Sequence, residues 1–156
     1  MTQPIDTLRS PDRAASSDER VLAGAAHLAI FGGFWLLAPL AIFFYKRKDS
    51  PFVAFHALQA TLLALAIVPI TLGAWMLAIV AQIAGVVFLG EVGASYLFVA
   101  LFFGCSLAPM LLVLSIGLVA AVRAFRGSTW SIPLVGRFAL GILAAPGWPA
   151  AEVAAR

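Results

Sequence analysis

The chain has 156 residues, of which 63% are hydrophobic and 11% charged, with a mean hydropathy of +1.03 and a formal net charge of +3. Soluble domains carry about 25% charged residues, so this composition excludes a free-standing soluble domain. The cations flank apolar runs, where they meet lipid headgroups rather than nucleic acid, and the single Cys105 excludes an intramolecular disulfide or a Cys-based metal cluster.

Residues 1–19 form a polar tail. It mixes Arg9 and Arg13 with Asp6, Asp12, Asp18 and Glu19, a composition expected to be disordered. The apolar run that follows is too long for a signal-peptide core of about 7–15 residues. Ser16 stands three residues before Glu19, a capping-box pattern that predicts a helix start. A first span is expected over about residues 20–45, interrupted by Gly32-Gly33 and Pro39. Ala25, Ala29 and Gly33 lie four apart, a spacing that lets another helix approach closely in lipid. His27 lies in the same run.

Lys46, Arg47 and Lys48 punctuate the next junction. Ser50 then offers an N-cap, and Pro51 suits the first helical position because its missing N–H needs no partner there. A second span is expected over about 51–82, bent near Pro69 and Gly73. It carries His56 and Gln59, three residues apart on one face. The stretch 83–93 is expected to be a short interfacial or re-entrant piece, loosened by Gly85, Gly90 and Gly93. A third span is expected over about 94–122, with Pro109 inside and Arg123 and Arg126 closing it. The remaining apolar pieces are too short to cross. Trp130, Arg137 and Trp148 predict an interfacial segment there, with residues 139–156 as a C-terminal interfacial tail.

The expected fold is therefore an all-α integral membrane protein. It would be a bundle of three transmembrane helices, or four, with short interfacial segments. Lys46, Arg47, Lys48, Arg123 and Arg126 act as topology and headgroup residues. Short loops rich in Lys and Arg stay cytoplasmic, which places this end inside and Glu91 outside. A single crossing of residues 20–45 puts the tail outside. A hairpin broken at Gly32-Gly33 and Pro39 would keep it inside. The single crossing is the expectation.

Polar residues inside the apolar runs face protein rather than lipid. His27, His56 and Gln59 are thus candidates, with Ala25, Ala29 and Gly33, for helix packing or a polar interface. With single crossings, the two histidines would be offset by roughly 20 Å along the bundle at 1.5 Å per residue. That offset, and the lack of a nearby acidic co-ligand, argue against haem or metal, and no cofactor is expected. No nucleophile–base–acid set, phosphate loop or carboxylate pair appears.

Two stretches carry a family likeness. "AAHLAIFGGFWLLAPLAIFFYKRKDSPFVAFHALQA" shows Ala26-His27-Leu28, Pro39, the Lys46–Asp49 turn, Ser50-Pro51-Phe52, and His56 with Ala57 and Ala60. "AAVRAFRGSTWSIPLVGRF" adds Ala124, Gly127, Trp130, Pro133 and Arg137. Over roughly residues 20–138 the chain resembles small bacterial membrane proteins of unknown function. These are distantly similar to the Tic-twenty subunit of the chloroplast inner-envelope translocon. Small magnetosome-membrane proteins look similar to the same group. The resemblance implies three or four helices, no enzymatic activity, and a subunit that works with partners.

The function expected is a non-enzymatic structural or assembly subunit of a larger complex in the bacterial inner membrane. An oligomeric transport or translocation component is the alternative, and a haem- or metal-binding redox subunit the third reading. The expected partners are the lipid bilayer and other membrane subunits, or further copies of the chain, and no nucleic acid.

Overall fold

A computed structural model describes residues 15–33 and 36–145. The described residues are helices joined by turns, with no strand among them. Helix α1 spans Ser17–Leu28. Its capping box is complete: Ser16 Oγ accepts from the Glu19 N–H at 3.3 Å, and Glu19 Oε2 accepts from the Ser16 N–H at 2.8 Å. A 3-10 turn, Ala29–Phe31, tightens its end, and Gly33 follows with φ +49°. Helix α2, Leu37–Lys46, tolerates Pro39 because first-turn residues have no intrahelical N–H bond to lose. Its last carbonyl, on Lys46, accepts from the N–H groups of Asp49 and Ser50, which turns the chain into α3.

The first apolar run is therefore not one span. Helices of 12 and 10 residues reach about 18 and 15 Å at 1.5 Å per residue, against a hydrocarbon thickness of about 30 Å. They pack on each other. The Arg20 side chain, at the start of α1, lies beside Gly127, just past the end of α3. The start of the run is thus at the end of the unit where α3 finishes, and its last residues lead straight into the start of α3. Ser17, at the start of α1, thus lies toward the same end of the unit as Lys46–Lys48, an arrangement that differs from the single crossing expected. The cause is local: the 3-10 turn and the left-handed Gly33 end the helix before it can cross.

Helix α3 spans Pro51–Phe125, with Ser50 Oγ capping the Val53 N–H at 3.3 Å. Its one non-helical residue is Gly90, at φ 70° and ψ 176°, a region open essentially only to glycine. There the helix turns back into arms 51–89 and 91–125. Trp75 and Phe102 meet edge to face at 4.9 Å between ring centroids. A Cβ on Gly85 would stand 2.9 Å from Leu97 Cδ2. Residues 83–89 are thus helix, not the interfacial or re-entrant piece expected, and the two helical arms continue past residues 82 and 122. Nothing polar in 83–89 competes for the backbone, so the helix runs on until Gly90.

The chain divides into two compact units, Met1–Ala64 with Ser115–Arg156, and Leu65–Leu114. The second unit holds the Gly90 turn and the part of each arm next to it. Each arm contributes about 25 residues, or about 37 Å, enough to cross a bilayer. Its outer surface is apolar: Leu77 is 70% exposed, Val87 75% and Phe88 84%. Such a surface suits acyl chains and not water. The first unit has the core, in which Ala26, Phe43, Phe55, Leu58, Ala139 and Leu143 cluster. Its last helix, α4, Val135–Leu143, buries Gly136, Ala139 and Leu143. It crosses the domain boundary expected at residue 138 and belongs to the core. The expected tail segments 1–14 and 146–156, with Trp148, lie outside the described residues.

A buried histidine pair as the candidate functional site

His27 occupies the buried face of α1, with Ala23, Gly24 and Ala26. His56 and Gln59 lie about two and two and a half turns past the Ser50 cap on α3. All three side chains are fully enclosed. His27 Nε2 and His56 Nδ1 are 3.3 Å apart, and His56 Nε2 is 3.0 Å from the Ser128 carbonyl oxygen. The roughly 20 Å offset expected is corrected by this contact. It assumed two single crossings, whereas the folded-back first run brings α1 alongside the start of α3.

The acceptors fix the protons. A carbonyl oxygen only accepts, so His56 Nε2 carries a hydrogen and donates to Ser128. In the neutral ring, His56 Nδ1 is then a lone pair, and His27 Nε2 donates to it. His27 Nδ1 is left as a buried lone pair, and it has no partner among the described residues. Gln59 Nε2 and Oε1 are unpaired in the same sense. Phe52 and Phe55 stand edge-on to His56 at 4.7 and 5.3 Å, so the pair is walled by aromatic carbon.

Glycine 136 completes the enclosure. The point where its Cβ would stand is occupied by Ser131 Oγ and lies 2.8 Å from Gln59 Nε2. Only a residue without a side chain lets α4 close over the Gln59 amide here.

The arrangement is a directional hydrogen-bond chain, His27 to His56 to Ser128. No carboxylate or thiolate accompanies the imidazoles, and no group of three His, Cys, Asp or Glu side chains converges among the described residues. A divalent cation held between two neutral rings would keep its charge uncompensated in an apolar enclosure, which is costly.

The other sequence-derived residues fall elsewhere. Ala25 and Ala29 are half-buried and Gly33 is exposed. They do not form one helix face, because α1 ends at Leu28. The packing face is the neighbouring stripe through Ala23, Ala26 and His27. Lys46 pairs loosely with Asp49 at 3.9 Å, and the Arg47 guanidinium stands 5.1 Å from the Phe44 ring centroid. Lys48, Arg123 and Arg126 are exposed. Arg20, by sequence one of the cations at the tail's end, donates to the Ala15 carbonyl at 2.9 Å and lies beside Gly127. Ser128, Ser131 and Gly136 escaped notice, since no local pattern links them to residues some 70 positions earlier.

Residues 18–139 match the model of the MamF/MmsF family, described as the magnetosome magnetite crystal formation protein family. No curated protein and no solved structure matches the chain.

Proposed function

The chain belongs to the magnetosome magnetite crystal formation protein family, and on that premise we propose that it serves crystal formation as a non-enzymatic structural membrane protein, a subunit of a larger assembly in the magnetosome membrane. The observation that carries the reading is the closure of its only polar cluster among the described residues. His27, His56 and Gln59 are fully enclosed, and the His56 ring is committed on both nitrogens to internal bonds. A substrate or ion has no open route to such a cluster, so it supports packing rather than turnover. The wide apolar surface of the 65–114 unit is where lipid and neighbouring subunits would attach. Enclosure also weighs against a transport path lined by His56 and Gln59.

The test is deletion in a magnetite-forming cell, read by electron microscopy of crystals and by total iron in isolated magnetosomes. The expected result is crystals of altered size or shape with iron delivery preserved. Gentle extraction should recover the chain well above its monomer mass of 16.4 kDa. Iron-depleted magnetosomes with otherwise normal crystals would favour transport and defeat this reading, as would recovery of a strict monomer.

A further inference from the structure

Leu134, Arg137, Phe138, Gly141, Ile142 and Ala145 line an open groove of about 650 Å³. They follow i, i+3, i+4, i+7, i+8 and i+11 spacing, so they form one stripe along α4 and just beyond its ends. The opposite face of α4 is locked into the core through Gly136, Ala139 and Leu143, so the stripe cannot rotate inward. Leu134 and Phe138 are each 70% exposed. Gly141 has open space where a Cβ would be, which leaves a notch between Phe138 and Ile142.

We infer that this stripe binds one anionic phospholipid, with the phosphate on Arg137 and an acyl chain along Leu134, Phe138 and Ile142 through the Gly141 notch. The chemistry is complementary at both ends. Arg137 is the stripe's single charge and forms no ion pair among the described residues, and a guanidinium holds a phosphate with two parallel N–H bonds. The rest of the stripe is carbon, which offers nothing to free phosphate and much to an acyl chain. A second copy packed on the stripe would cover Arg137 with carbon and offer its guanidinium no anion, whereas a phosphate pairs it directly. The inference rests on the membrane setting and not on a structural role in crystal formation, so each can fail alone.

The experiment uses the full chain, purified into mixed micelles holding equal phosphatidylglycerol and phosphatidylcholine, with retained lipid counted by native mass spectrometry. Wild type should retain phosphatidylglycerol about tenfold over phosphatidylcholine. Arg137→Gln should remove the preference, Arg137→Lys should leave part of it, and Phe138→Ser should lower retention of both lipids. Lys48→Gln should change nothing. Arg137 is exposed, so helicity and elution should be unaltered in its variants. Equal retention by wild type and Arg137→Gln overturns the proposal. So does a wild type that retains no lipid, the result expected if residues 146–156 fill the groove instead.

Discussion

His56 uses both ring nitrogens, and His27 uses one. Replacing them should therefore have unequal effects. His56→Leu leaves the buried His27 N–H and the half-buried Ser128 carbonyl without these partners, at about 1–3 kcal/mol for a fully stranded group. His27→Leu strands only the His56 lone pair and also removes an unpaired nitrogen. The expected order of thermal stability in detergent is wild type, then His27→Leu, then His56→Leu. The reverse order would mean the bonding direction deduced from Ser128 is wrong. Gly136→Ala should cost about 1–3 kcal/mol through overpacking against Ser131 and Gln59. Gln59→Leu removes an amide with neither group paired, so its melting temperature should equal or exceed wild type. A clear drop would show that the amide is engaged in the assembled protein.

Among the elements, α3 depends most on one residue. Gly90 takes a backbone conformation that costs other residues about 1–3 kcal/mol. Gly90→Ala should loosen the turn between the arms. The measurement is disulfide trapping between cysteines placed at Gly85 and Leu97 in a Cys105→Ala background. Trapping should be efficient with Gly90 and markedly lower with alanine. The start of α3 has a separate dependence on Ser50, whose side chain is buried and caps Val53. Ser50→Ala should destabilise by about 1 kcal/mol, the usual cost of a lost N-cap.

For the whole molecule, the fold of the first apolar run decides the sidedness of the tail. Cysteines at Ser17 and at Lys48 should label from the same face of the membrane, in vesicles of known orientation and a Cys105→Ala background. By the Lys46–Lys48 cations that face is expected to be cytoplasmic, and Glu91, flanked by no cation, is expected to label from the other. Opposite labelling of positions 17 and 48 would restore a single crossing and separate the two histidines.

The sequence alone determined the membrane setting, the helical class and the starts of α1 and α3. Each of these is local or compositional: hydropathy over long runs, a capping box, a Ser-Pro start. Gly32-Gly33 and Pro39 even marked the site of the fold-back, but local chemistry does not say whether such a break bends a span or reverses it. Only the tertiary structure decided that, because the outcome depends on Ala26, Phe43, Ala54 and Leu58 finding one another in a shared core. The same holds for the pairing of His27 with His56, the Ser128 carbonyl, and Gly136 against Gln59. These contacts join segments far apart in the chain, and their register is fixed by packing volumes that no short stretch of residues encodes.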